Sequence, residues 1–371
     1  MSADFSMQPA TSKARNLNIA ILGTSGSGKT SFFTGLYTAL YQSTINGFGI
    51  SPQVNDSNDL VSAYIYEGKF TELSFEKNGM NFPPSTADLQ PTHWRFGLTH
   101  NLAIDDLPVC TITCLDYRGG LISHDTGGTS ADNVNELLAH VSCSEAIIVF
   151  VDALALTKFH DIREIRRRSG IDYVMSIIRL ITNRVRVPRM TLLVAMTKVD
   201  AVSEEWKVDR YAPLYEIGQQ AAREMFTLAK TKNWVCGIVP VSVVGEGNAS
   251  TTYVEPIDIS SPYLTRIKLT GEPNPLNVGE ALLFCIYTIL QRHKAKDDRE
   301  IEQRKGMAEY YLRQGIAQEI WARLRGKTTP AEEAQRIMDE ADAAVVELRR
   351  YERYLLSLSQ AGSPVKHCQT P

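Results

Sequence analysis

The chain has 371 residues, with 39 Lys and Arg against 42 Asp and Glu, a formal net charge of −3. This near balance argues against a dedicated nucleic-acid or anionic-membrane binder, which carries a basic surplus. At 43% hydrophobic and 22% charged residues, the chain is long and apolar enough to bury a full core, as two domains or as one enlarged domain with an appendage.

Residues 1–15 are polar, without an apolar leader core, and are expected to form a flexible tail. Leu17–Leu22 is the first buried strand candidate, followed by helical character over Ser31–Tyr41. Residues 43–92 are rich in Asn, Ser, Gly and Pro and read as a long loop region, with one helix-like piece near Asp59–Tyr66. Loops of that length in compact domains are commonly functional. Strands resume at His93–Thr99 and Val109–Leu115, close enough to form a hairpin. Further strands are expected at Ala146–Val151, Met190–Ala195 and Val235–Val241, and helices at about 131–141, 171–185, 212–232 and 277–293. Such alternation predicts an α/β fold: a mostly parallel sheet covered by helices on both faces.

After about residue 295 the strands stop. Residues 296–361 hold 12 basic and 13 acidic side chains with helical periodicity, and Thr329-Pro330-Ala331-Glu332 is a capping box with proline at the first helical position. A helical hairpin is expected here, its first helix ending near Gly326, and residues 362–371 are expected to trail as a second tail. The longest uncharged apolar run, Ala281–Leu290, is far short of the roughly 18–20 residues that cross a bilayer, so no transmembrane helix is expected. The six cysteines contain no CxxC pair, which suits reduced thiols in a cytoplasmic protein.

Three motifs carry chemistry. Gly23-Thr24-Ser25-Gly26-Ser27-Gly28-Lys29-Thr30 fits GxxxxGK[ST] between a strand and a helix. There backbone N–H groups of Gly23, Ser25, Gly26, Ser27, Gly28, Lys29, Thr30 and Ser31 can surround phosphate oxygens at a helix N-terminus. Lys29 would reach the β and γ phosphates, and the Thr30 hydroxyl would ligate Mg²⁺. A second Gly-Lys-Thr, Gly326–Thr328, lacks both the first glycine and a preceding strand, and reads as a helix terminator. The strand Thr111–Leu115 ends in Asp116-Tyr117-Arg118-Gly119: a carboxylate for the metal, and a backbone N–H three residues on for a γ-phosphate. The strand Thr191–Ala195 runs into Met196-Thr197-Lys198-Val199-Asp200. Guanine presents two adjacent N–H donors that one carboxylate can accept, whereas adenine would leave that carboxylate unsatisfied, so Asp200 points to guanine. Lys198 can lay its stem along the base plane. The turn Ser242-Val243-Val244-Gly245 could bring N–H groups to the guanine oxygen.

These motifs, in this order, resemble the Ras-like P-loop GTPases of the TRAFAC class over roughly residues 16–295. The wording around Phe82–Thr86, Trp94–Phe96 and Pro275–Val278 is closer to the bacterial double-GTPase families of conflict systems. The resemblance implies a P-loop NTPase fold that binds GTP or GDP with Mg²⁺. It also implies a first switch within 43–92, whose threonine, Thr86 or alternatively Thr92, touches metal and γ-phosphate, and a second switch beginning at Gly119. Gly120 departs from the family: a glutamine that orients the attacking water is usual there. Hydrolysis is therefore expected to be slow, to use another group such as Arg118 or His124, or to need a partner protein. That partner, an effector or regulator, is expected to meet the switch loops and the C-terminal helices, where Tyr310, Tyr311 and Trp321 are candidate anchors or seam residues. The alternatives are an inactive pseudo-GTPase scaffold, suggested by Gly120, and an ATPase or nucleotide kinase on the same loop. Asp152 reads as a structural turn carboxylate.

Overall fold

The computed structural model describes residues 15–53, 68–69, 71–75, 92–101, 108–117, 131–184, 189–254, 264–313 and 328–367. Its core is a sheet of eight strands among the described residues, in the order β10-β7-β6-β5-β1-β4-β3-β2. The strands are β1 (Arg15–Leu22), β2 (Phe48–Pro52), β3 (Thr92–His100), β4 (Cys110–Asp116), β5 (Ala146–Asp152), β6 (Thr191–Thr197), β7 (Val235–Pro240) and β10 (Lys366–His367). β4, β1, β5, β6 and β7 run parallel, whereas β2, β3 and β10 pair antiparallel at the two edges.

The helices between them are α1 (Lys29–Leu36), α2 (Ala131–Cys143), α3 (Ala153–Lys158), α4 (Ile162–Arg168), α5 (Ile171–Arg184), α6 (Val208–Ala221), α7 (Arg223–Thr231), α8 (Val278–Leu312) and α9 (Pro330–Ala361). Every residue of β5 and β6 is buried, which is why these strands read as unbroken apolar runs rather than as alternating ones. Alternate residues serve opposite faces. Ile147, Val149 and Val151 of β5 join Leu192, Val194 and Met196 of β6 in the core formed with α2, α5, α6 and α7. On the other face Phe150 packs edge-on against Phe32 of α1, with centroids 5.0 Å apart, and Thr191 meets Thr288 of α8 at 2.7 Å. The fold is therefore the mostly parallel α/β architecture, covered on both faces, that the strand–helix alternation predicts.

The differences lie at the margins. β2 forms inside the expected loop region 43–92, and the predicted helix near Asp59–Tyr66 lies outside the described residues. The expected helix 212–232 is two helices, and in front of it Asp209, Arg210 and Tyr211 hold φ of 48°, 55° and 69°, a left-handed turn. A separate antiparallel pair, β8 (Ala249–Val254) with β9 (Leu264–Leu269), follows β7. Residues 366–367, expected in a tail, form edge strand β10 on Gly237 and Ile238.

The chain divides into two compact units, one built on Arg15–Ile289 with the chain end from Leu358, the other on Leu290–Ser357. In the second unit Ala308 of α8 packs with Ala334 and Ile337 of α9, flanked by Tyr311 and Met338. Lys294 pairs with Glu352 at 3.0 Å and Arg304 with Glu340 at 4.0 Å, the register of an antiparallel helix pair. Tyr311 thus lines the seam, whereas Tyr310 is 64% exposed. Trp321 and the expected helix end at Gly326 lie outside the described residues.

Candidate functional site

The site gathers at the carboxyl ends of β1, β4, β5, β6 and β7, where an open parallel sheet places its ligand crevice. β1 ends at Leu22, and the chain turns through Gly23–Gly28 into α1. Gly26 and Gly28 sit at φ 74° and 95°, left-handed positions that let successive N–H groups turn inward as an anion nest. At Gly23 a Cβ would lie 2.3 Å from Ser27 Oγ, so the loop can close this tightly only around a glycine. Ser25 and Gly26 are exposed at the lip, Thr30 and Ser31 are half-buried in the first turn of α1, and Ser27 is buried.

Lys29 is almost fully buried at the base of this loop. Its Nζ donates to the carbonyls of Gly23 (2.8 Å) and Thr24 (3.0 Å). An ammonium has three donors, so two bonds to the loop leave a third for a ligand oxygen. Burial pulls the Lys29 pKa down to about 8, against the opposing pull of Asp116. Asp116, at the end of β4 and 2% exposed, accepts from the Thr30 hydroxyl at 3.1 Å. Thr92, the first residue of β3, stands opposite Asp116 in the ladder. Thr86, Arg118, Gly119, Gly120 and His124 lie outside the described residues.

Thr197 ends β6, and its hydroxyl donates to Ser27 O (2.9 Å) and Val151 O (3.3 Å). Expected as a nucleotide contact, Thr197 ties the phosphate loop to the neighbouring strands. Lys198, in a left-handed conformation at φ 60°, pairs with Asp152 at 2.6 Å. Asp200 Oδ1 accepts from the Ser242 hydroxyl at 2.6 Å, while its buried Oδ2 has no partner among the described residues. Burial raises the Asp200 pKa, partly offset by the Ser242 bond, by the residue's own backbone N–H and by Lys207 and Lys198. Ser242 exchanges backbone bonds with Leu276 (3.1 and 2.8 Å), and its Oγ accepts from Val244 N (3.3 Å) and Gly245 N (2.8 Å). Of this turn's N–H groups, those of Ser242, Val244 and Gly245 thus bond within the protein. Val243 is half-buried, beside Gly35 of α1.

Sequence reasoning missed three contributors. Tyr117 is 1% exposed, and its hydroxyl accepts from Gly23 N at 3.1 Å while its ring lies 5.2 Å from Lys29 Nζ. It occupies a free position of DxxG, where the pattern carries no signal. Gly170, at φ 82°, presses on Thr24, where a Cβ would fall 2.6 Å from the Thr24 side chain. Asp152 does more than hold a turn: it caps α3 through Leu154 N (2.9 Å) and also holds Lys198. Only the strand register, which sets Asp152 opposite Thr197, reveals that second role.

The donor set suits a magnesium nucleotide. A carboxylate and a hydroxyl, both hard oxygen ligands, stand 3.1 Å apart beside a nest of N–H groups. Among the described residues no three His, Cys, Asp or Glu side chains group as a metal site.

No family model and no curated protein matches the chain. Among solved structures it is similar to the signal recognition particle receptor SRb-GTP/SRX complex of Chaetomium thermophilum at 15% identity, covering 63% of this chain and 93% of that one, TM-score 0.32. It is also similar to the S. cerevisiae Ski7 GTPase-like domain bound to GTP (15% identity, 67% and 48% covered, TM-score 0.34). A third is sup35 complexed with GDP (12% identity, 71% and 46% covered, TM-score 0.28). The chain spans about half the length of the last two.

Proposed function

We propose that this chain binds GTP and GDP with Mg²⁺, hydrolyses GTP slowly, and acts as a nucleotide-dependent switch toward a partner protein. The observation that carries the reading is the Asp200 carboxylate. One oxygen is fixed by Ser242 and the other is buried without a partner among the described residues, at a strand end beside a phosphate loop. A buried, unsatisfied acceptor costs about 1–3 kcal/mol, which a ligand N–H would recover. Guanine supplies two such donors at the required spacing.

In this reading Lys29 and the N–H groups of Ser25, Gly26, Gly28, Thr30 and Ser31 hold the phosphates, Gly23 with its N–H on the Tyr117 hydroxyl shapes the loop, and Asp200 with Lys198 holds the base. Thr30, Asp116 and a threonine of the first switch, Thr86 or Thr92, hold the metal, which when bound offsets charge on the phosphate oxygens. Arg118 and the Gly119 N–H are proposed for the γ-phosphate side. Gly120 in place of a water-orienting glutamine supports slow or partner-stimulated turnover, and equally a second reading, a pseudo-GTPase scaffold. The cysteines without a CxxC pair support a cytoplasmic location for this chain, and the resemblance of the motifs supports a role in a bacterial conflict system with a partner protein met through the switch loops and the C-terminal helices.

Competition against a fluorescent guanine nucleotide tests the base assignment: GTP and GDP should displace it and ATP should not. Asp200→Asn should weaken GDP by about 10- to 100-fold, the cost of one unsatisfied buried pair, and favour xanthosine diphosphate. Displacement by ATP as readily as by GTP would remove the role of Asp200. Single-turnover phosphate release, alone and with partner fractions, separates switch from scaffold.

A further inference from the structure

We infer that Asp152 is a positioning residue for base recognition: it anchors the Lys198 ammonium so that the lysine stem forms a fixed platform for the ring held by Asp200. The inference rests on the guanine-binding reading above. Asp152 and Lys198 end adjacent parallel strands, β5 and β6, with Asp152 opposite Thr197 in register. Lys198 Nζ lies 2.6 Å from Asp152 Oδ2, and the two side chains are only 9% and 6% exposed. The stem therefore spans from the end of β6 to the end of β5. The phosphate loop is tied in next to that span, through Thr197 to Ser27 O at 2.9 Å. Asp200 follows two residues along the chain.

The chemistry explains why an acid is needed there. A buried ion pair adds little stability over an apolar pair of similar size, because desolvating both charges offsets their attraction. What it adds is position: a long, rotamer-rich side chain is held in one place. The second Asp152 oxygen caps α3 at Leu154 N, 2.9 Å away, so the anchor itself is fixed by the helix it starts. The pair also cancels the lysine charge. The Asp200 carboxylate, with its Oδ2 buried, then favours a ring that offers N–H donors.

The test is a double-substitution cycle in the full chain, read by GDP titration and by competition with inorganic tripolyphosphate, which engages the phosphate loop alone. Asp152→Asn keeps an oxygen for the α3 cap and removes the charge. It should weaken GDP about tenfold or more and leave tripolyphosphate unchanged. Lys198→Met, of similar length and uncharged, should do the same, and the double variant should lose less than the sum of the two, because neither charge is left unpaired. If Asp152→Asn does not fold, Lys198→Met carries the test by itself. Wild-type GDP affinity in either single variant, strictly additive losses, or equal loss of GDP and tripolyphosphate would overturn the positioning role. Wild-type protein that ignores GDP would instead remove the guanine reading beneath it.

Discussion

At the scale of single residues, the phosphate loop stores its charge at a cost. Lys29 is buried with a pKa lowered to about 8 from 10.5, so the free protein starts to lose that proton well below the ordinary lysine range. Triphosphate oxygens favour the charged form and raise the pKa again. Binding should therefore take up protons between about pH 8 and 10.5, and affinity should fall as pH rises through that window. Calorimetry of GDP binding at pH 9 in two buffers of different ionisation enthalpy should show this uptake; none would mean that no phosphate oxygen approaches Lys29. Asp200 works with the opposite sign. Its pKa is raised by burial, so on acidification it protonates above the ordinary carboxylate range, and base affinity should fall there. Both residues are legible in the sequence because their motifs prescribe a strand before and a turn after. Tyr117, Ser242 as a partner of Asp200, and Asp152 as a partner of Lys198 are not. Each contact depends on which strand ends lie side by side, and spacing along the chain does not encode that. The threonine and glycine proposed for the two switches, Thr86 and Gly119, fall outside the described residues.

Elements differ in how plainly they announce themselves, and the reason is burial. The interiors of β5 and β6 are apolar because helices cover both faces, so the predicted spans Ala146–Val151 and Met190–Ala195 lie within two residues of the observed strands. α3, α4 and β2, of five to seven residues, bury too little surface to leave a periodic signature. The left-handed turn at Asp209–Tyr211 is unreadable for another reason: no glycine marks it. Start signals, by contrast, are local chemistry. At α9 the Thr329 Oγ accepts from Glu332 N at 3.2 Å and Glu332 Oε2 accepts from Thr329 N at 2.8 Å, both bonds of the capping box seen in the sequence. Thr329→Ala should destabilise this helix by about 1 kcal/mol, read as faster amide exchange in its first turns. A larger effect is expected at the α4–α5 turn. Gly170 holds a φ of 82°, and a Cβ there would fall 2.6 Å from the Thr24 side chain, so Gly170→Ala strains the backbone and pushes on the phosphate loop together. It should cost about 1–3 kcal/mol in thermal or urea unfolding; an unchanged midpoint would show that the turn yields freely.

On the scale of the molecule, topology decides where chemistry can occur and how the sheet is closed. The carboxyl ends of five parallel strands meet at one edge, so motifs separated by up to about 170 residues come within hydrogen-bond range, as the Thr197–Ser27 bond shows. The sheet's other requirement is cover for β7, which without β10 would offer an open row of N–H and C=O groups. The chain end supplies it. Leu358 is fully buried, Gly362 packs on Phe284, and Val365, 4% exposed, fills the space over Gly237. Lys366 and His367 then pair with Ile238 and Gly237, the Tyr215 hydroxyl donates to Pro364 O at 3.1 Å, and the Lys366 ammonium lies 3.9 Å from the Tyr215 ring centroid. The sequence reads this stretch as a tail because a two-residue polar edge strand has no period, and its partners lie about 130 residues earlier. Removing residues 362–371 should therefore destabilise the unit built on Arg15–Ile289 by about 2 kcal/mol or more, through the buried valine and the lost ladder bonds. The exposed β7 edge should also promote association on heating. Val365→Ser, which keeps the backbone pairing, should give a smaller drop in midpoint without that association. A truncated chain that melts with the full-length midpoint and stays monodisperse by light scattering would show that β7 has no need of its cover.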